Sequence, residues 1–235
     1  MFENIISNTS KTIVGNVDKI KLTLAAIISE GSILIEDYPG SGKTTFAKAI
    51  TSSLGLNFKR IQFTSDLLPS DVLGFNILSE DKLKFQKGPI FTNIVLADEL
   101  NRGSPKAQSA FLEAMEEKNV TIDGESYNLP EPFFVIATQN PMDTSGTSSL
   151  PDSQLDRFMI SYSLSDLDQK EKILMLKKNI SFSNSASETI NWSQINDKKN
   201  EITIKDEIYQ YVVEIEHTIK ALGQNIYISA RCMKQ

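Results

Sequence analysis

Cysteine and histidine each occur once in this chain, as Cys232 and His217. One cysteine excludes an intramolecular disulfide, and one cysteine with one histidine leaves no ligand set for zinc. His217 falls on a helical stretch and reads as a surface or half-buried residue. No apolar run approaches the ~18 residues of a membrane-spanning helix. The start, Met1-Phe-Glu-Asn4, lacks the basic and apolar regions of a secretory leader, so the expected compartment is the cytoplasm. A basic excess is missing as well: 24 Lys and Arg stand against 30 Asp and Glu, for a net charge of -6. That balance argues against a broad nucleic-acid footprint, whose affinity comes mainly from clustered cations. Lys177-Lys178 and Lys198-Lys199 read as solvated faces.

What is present describes an ordinary globular chain. Its 235 residues, 40% hydrophobic and 23% charged, lie between one and two average domains and can bury a core. The densest signal is Asp37-Tyr-Pro-Gly-Ser-Gly-Lys-Thr-Thr45, after the apolar run Ser32-Ile-Leu-Ile-Glu36 and before the helix-like Phe46 to Leu54. Strand, tight loop and helix N-terminus together aim unpaired backbone N–H groups and the positive end of a helix dipole at one point, which suits phosphate. Lys43 would reach the β and γ phosphates and the Thr44 hydroxyl would ligate Mg2+. Asp37 stands where the G-x-x-x-x-G-K-[ST] pattern has its first glycine, while Gly40, Gly42, Lys43 and Thr44 keep their register, with Pro39, Ser41 and Thr45 completing the loop. The alternative is a coincidental Gly-Lys-Thr turn.

Two further apolar runs end in polar residues suited to that loop. Asn93-Ile-Val-Leu-Ala97 delivers Asp98-Glu99, and the spacing predicts a buried parallel strand beside the phosphate-loop strand, with both acids at the C-terminal sheet edge where open α/β sheets bind ligands. Asp98 would hold the Mg2+ shell and Glu99 would polarise a water for in-line attack on the γ-phosphate. The bland alternative is a strand with two surface acids. Phe133 to Thr138 delivers Gln139-Asn140-Pro141 to the same edge, where the Asn140 carboxamide could sense the γ-phosphate and the attacking water. Taken alone, Asn-Pro is as well explained as a turn.

Alternating helix and strand signals predict a parallel sheet between helices. Val17, Ile20, Leu24, Ile27 and Ile28 mark one face of a first helix. Ser104-Pro105 reads as N-cap and first helical residue, followed by Ala107, Ala110, Phe111, Ala114 and Met115 at helical spacing. A hairpin is expected over 120–129 around Asp123-Gly124, and a second insertion over 76–85. Beyond Tyr162, residues 166–179 and 206–222 read as helices, the latter with Ile208, Tyr211, Val212, Ile215 and Ile219 on one face, and 182–200 as a loop or weak helix. The division is a nucleotide-binding core over 1–165 and a small helical lid over 166–235.

Several stretches carry a family resemblance: Ile-Val-Gly at 13–15, Leu34 to Thr44, Ala-Asp-Glu-Leu-Asn-Arg at 97–102, Pro130 to Pro141, and Leu150 to Phe158. The chain resembles the MoxR-type AAA+ ATPases almost continuously over its first 160 residues. An Asp at position 37 is familiar there. The resemblance implies an AAA+ P-loop α/β core that binds ATP and Mg2+, with Ile13 and Val14 bordering the adenine. It further implies Arg157 as an arginine finger for a neighbour's γ-phosphate and Arg231 as the sensor-2 arginine of the lid. Guanidinium suits both tasks because it stays charged and forks onto phosphate oxygens. A homo-oligomeric ring, a hexamer, follows from the same resemblance, as does chaperone-like remodelling of a protein client, often one with a von Willebrand factor A domain. The insertion at 76–85 resembles the helix-2 insertion, which faces the pore or the substrate side. Only Cys-Met-Lys-Gln follows Arg231, so the lid is expected to be shortened or the chain a fragment. Two rival functions stay open: an assembly module that binds ATP with little turnover, and a nucleic-acid-stimulated motor.

Overall fold

The computed structural model describes residues 2–38, 40–79, 82–141, 150–164, 167–177 and 191–221. Pro39 and Arg231 lie outside them. The chain divides into two compact units, 1–190 and 191–235.

The first unit opens with α1 (Phe2–Thr12) and α2 (Val17–Ile28), continues through β1 (Ile33–Glu36), α3 (Lys43–Leu54), β2 (Phe58–Gln62) and the short α4 (Pro69–Leu73), and enters a hairpin of β3 (Gly74–Ser79) and β4 (Lys82–Lys87). There follow β5 (Ile94–Asp98), a 3-10 turn over Leu100–Arg102, α5 (Pro105–Glu117), a second hairpin of β6 (Asn119–Ile122) and β7 (Glu125–Asn128), β8 (Phe134–Gln139), α6 (Asp152–Leu155), β9 (Ile160–Tyr162) and α7 (Gln169–Lys177). Helix α1 had no counterpart in the sequence reading, nor did β2, whose residues are mostly polar.

Strands β2, β5, β8, β1 and β9 form one parallel sheet in that order. This corrects one expectation: the strand ending in Asp98 does not lie beside the phosphate-loop strand. Strand β8 stands between them, pairing Ala97 with Ala137 on one side and Leu34 with Ala137 on the other. Parallel neighbours are joined by long crossovers, so chain order does not dictate spatial order, and the near-continuous apolar β8 takes the central place. Helices flank the sheet. Against one part of the core, α5 buries Ala107, Phe111, Leu112, Ala114 and Met115, with Phe111 meeting Phe63 edge-on at 5.3 Å. Full burial of a side chain the size of Phe111 or Leu112 contributes about 1.5–3 kcal/mol. Ser104 caps α5 as the sequence implied, its hydroxyl accepting from Ala107 N at 3.3 Å. Helix α2 buries Ile20, Leu24 and Ile27, while Val17 is exposed because it occupies the first position of the helix.

The two hairpins share a face. Phe85 stacks on Tyr127 at 4.2 Å, and Asn76 Nδ2 donates to Asp123 Oδ2 at 2.7 Å. Asp123 and Gly124 both have positive φ, at 49° and 86°, as the tight turn between β6 and β7 requires.

Helix α7 lies in the first unit, whereas the division read from the sequence fell at 165. At Gly15, with φ of 67°, a Cβ would come within 2.6 Å of Glu171 and 2.7 Å of Leu167. The second unit contains α8 (Trp192–Asn200) and α9 (Asp206–Ala221). The apolar face read on α9 stays substantially open, with Ile208, Tyr211 and Ile215 exposed. No described helix is long and apolar enough to cross a membrane.

Candidate functional site

The phosphate loop, two other sheet-edge turns and strand β2 line one open cleft of about 420 Å³, formed by Gly40, Gly42, Lys43, Thr44 and Thr45, by Asp98 and Glu99, by Thr138, Gln139 and Asn140, and by Arg60 and Gln62. The first three groups are the ones the sequence singled out. Arg60 and Gln62 are additional, and their signal in the sequence was slight, since an exposed edge strand alternates too weakly to announce which way its polar side chains face.

The loop conformation explains its glycines. Gly40 and Gly42 have φ of 86° and 90°, a region that disfavours side chains, and Gly42 is the N-cap of α3. A Cβ at either would meet nothing within 4 Å, so backbone conformation, not crowding, demands glycine there. Lys43 Nζ donates to the carbonyl oxygens of Asp37 and Tyr38 at 3.0 and 2.6 Å. The ammonium is thus folded onto its own loop.

Asp37 has a different role from the glycine it replaces. The residue is 1% exposed and does not line the cleft. Oδ1 accepts from Tyr38 N at 2.8 Å and Oδ2 from Leu164 N at 3.0 Å. The carboxylate ties the start of the loop to the segment after β9.

Asp98 and Glu99 sit in a polar network reaching across three strands. Thr138 Oγ1 donates to Asp98 Oδ1 at 2.7 Å and accepts from Glu99 N at 2.9 Å. Arg60 donates through Nε and Nη2 to Asp98 Oδ2 at 2.9 and 2.6 Å. Gln62 Nε2 donates to Glu99 Oε2 at 2.8 Å, and Arg102 Nη1 lies 3.7 Å from the same oxygen. Asp98 is only 7% exposed, so its full set of partners is what burial of a carboxylate demands.

The donors present fit a magnesium ion held together with a nucleotide. Hard oxygens, one carboxylate and one hydroxyl, with substrate phosphates completing the shell, are what Mg2+ ordinarily takes. No cluster of three or more His, Cys, Asp or Glu is found among the described residues.

Beside the loop lies a second, mainly apolar pocket of about 80 Å³. Ile13 and Val14 line it with Phe46, Leu164, Leu167 and Met175, and Ser41, Gly42 and Thr45 join it to the phosphate loop. A flat heterocycle bound here would be continuous with phosphates in the cleft.

Arg157 lines neither pocket. Its Nη1 donates to Leu112 O at 2.9 Å and pairs with Glu116 Oε2 at 2.9 Å, both on α5.

Comparison with known proteins agrees with this geometry. The profile of the ATPase family associated with various cellular activities (AAA) matches residues 32–160. YeaC of Bacillus subtilis, an uncharacterized protein, is 53% identical over 156 residues, 66% of this chain and 49% of that protein. Chaperone MoxR1 of Mycobacterium tuberculosis is 40% identical over 159 residues, 67% of this chain and 42% of its own. The chain therefore spans about half the length of the curated relatives it matches. The crystal structure of a candidate ATPase from Cytophaga hutchinsonii superposes with a TM-score of 0.86 at 35% identity, covering 99% of this chain and 76% of that one.

Proposed function

The chain belongs to the MoxR-type AAA+ ATPases, and on that premise we propose that it binds ATP with Mg2+, hydrolyses it, and uses the cycle to remodel a partner protein. The observation that carries the reading is the convergence of Lys43, Thr44, Asp98, Glu99 and Asn140 on one cleft.

In this reading the backbone N–H groups of the Gly40–Thr45 loop and the N-terminus of α3 receive the phosphates. Lys43 exchanges the carbonyls of Asp37 and Tyr38 for phosphate oxygens. Ile13 and Val14 border the adenine. Thr44 and Asp98 hold Mg2+, which supplies charge neutralisation along the phosphates. Glu99 orients a water for in-line attack and accepts its proton as the bond to the leaving diphosphate breaks, and Asn140 holds the γ-phosphate and that water in register.

Arg157 is the group offered to a neighbouring subunit, which entails a ring, with a hexamer expected. Leaving α5 for a phosphate would exchange one carboxylate partner, Glu116, for another anion. The client is a protein, with one containing a von Willebrand factor A domain as the first to try, and the working compartment is the cytoplasm.

Phosphate release from ATP by the purified chain tests the reading. Turnover abolished by Glu99→Gln, with ATP uptake retained, is the expected result. Uptake without turnover in the unaltered chain would leave an assembly module instead, and stimulation by DNA but by no protein would favour a nucleic-acid motor.

A further inference from the structure

Among the described residues Arg60 is the one guanidinium in the wall of the cleft, and no step of the proposed reaction uses it. It is not a loosely solvated cation. Nε and Nη2 both converge on a single oxygen, Asp98 Oδ2, at 2.9 and 2.6 Å, and Nη2 also donates to Gln62 Oε1 at 2.5 Å. The other carboxylate oxygen, Oδ1, is taken by the Thr138 hydroxyl. Asp98 therefore accepts three hydrogen bonds from side chains, and the partner on its Oδ2 is a full positive charge. A divalent cation brought to Thr44 and Asp98, directly or through a water, meets a carboxylate already paired with a guanidinium. It must displace the guanidinium or keep a like charge beside it.

We propose that Arg60 is a resident counter-ion of Asp98 that competes with the divalent cation for this carboxylate and so sets the Mg2+ concentration at which the nucleotide is bound. The inference rests on the ATP reading and deepens it. Two features suit Arg60 to yield. It sits on β2, the edge strand of the sheet, and its side chain is 47% exposed, so it has solvent to swing into. Guanidinium is also weakly hydrated and forks readily, which lets it hold a carboxylate firmly when no metal is present. Buried as it is, Asp98 would otherwise stand as a charge without a counter-charge in the nucleotide-free protein. Arg60 supplies that charge, and its competition with the metal is the consequence.

The test is the uptake of a fluorescent, non-hydrolysable ATP analogue by the full chain at rising Mg2+, with a parallel titration in EDTA. Free Mn2+ followed by electron paramagnetic resonance gives a second, direct readout of metal binding. In Arg60→Ala the half-saturating Mg2+ is expected to fall by about two- to fivefold, the range an ion pair of this exposure can supply, with uptake in EDTA unchanged. Arg60→Lys keeps the charge but loses the fork, so its midpoint should fall less. An unchanged or raised midpoint in both variants, with normal uptake, overturns the inference and leaves the ATP reading intact. Equal weakening with and without metal makes Arg60 a phosphate contact and also overturns it. Should the unaltered chain take up no analogue at all, the ATP reading itself fails.

Discussion

Gln62 Nε2 donates to Glu99 Oε2 over 2.8 Å, so a carboxamide on the edge strand holds the acid proposed to activate a water. That hold restrains the carboxylate. Gln62→Ala should therefore raise basal phosphate release at saturating ATP, by about two- to fivefold, since a hydrogen bond to a charged group is worth about 1–3 kcal/mol before losses to solvent. Steady-state phosphate assays with an ATP-uptake control check this, and a drop in turnover would show that Gln62 positions Glu99 productively instead.

Lys43 and Glu99 should separate binding from chemistry. Lys43→Ala is expected to lose ATP uptake by calorimetry. Glu99→Gln should keep it while turnover falls about 100-fold or more, the usual scale for losing a general base.

Asp37 invites a substitution toward the common phosphate-loop pattern. Asp37→Gly would leave the Leu164 and Tyr38 N–H groups without their acceptor, and an unsatisfied buried donor costs about 1–3 kcal/mol. The melting temperature should drop by several degrees, about 2–4 °C per kcal/mol at this size. Asp37→Asn keeps an acceptor oxygen and should lose less.

Arg157 is anchored by Leu112 O and Glu116. If it serves a neighbour, rings mixed from Arg157→Ala and Glu99→Gln subunits should recover part of the activity that each variant lacks alone. Mixtures no more active than the parents would assign Arg157 to its own α5.

Tyr162 supplies a pH dependence. Burial pushes its phenol well above the ordinary tyrosine range, and the 2.5 Å hydrogen bond with the Thr23 hydroxyl opposes that only in part. The folded state therefore keeps a proton that the unfolded chain releases near pH ~10. The stability linked to this group is complete below that pH and declines as pH rises through it. Chemical denaturation between pH 9 and 11, values chosen to span roughly the unfolded phenol pKa, should show a shallower loss for Tyr162→Phe than for the unaltered protein.

Much of the candidate site was legible in the chain because its parts are short and local. Gly40 and Gly42 are where a left-handed backbone is needed, Asp98-Glu99 and Asn140 end apolar strands, and each signal fits within ten residues. Ser104 and Asp123-Gly124 were readable for the same reason: capping and tight turns are satisfied by near neighbours. Arg60 and Gln62 were not, since their importance comes from Asp98 and Glu99, 38 and 37 residues away. Nor could Asp37 be understood without Leu164, which meets it 127 residues later.

The sequence by itself determined that a strand, a glycine-lysine-threonine loop and a helix would follow one another, and that two other strands would end in acids and a carboxamide. Those features are set by backbone conformation and by the period of apolar residues, both of which act over a few residues. Only the tertiary structure decided that β8 stands between β1 and β5, that Thr138 bridges Asp98 to Glu99, and that a guanidinium occupies the buried carboxylate. Strand order in a parallel sheet and the neutralisation of a buried charge are set by contacts between distant segments, and no local pattern encodes them.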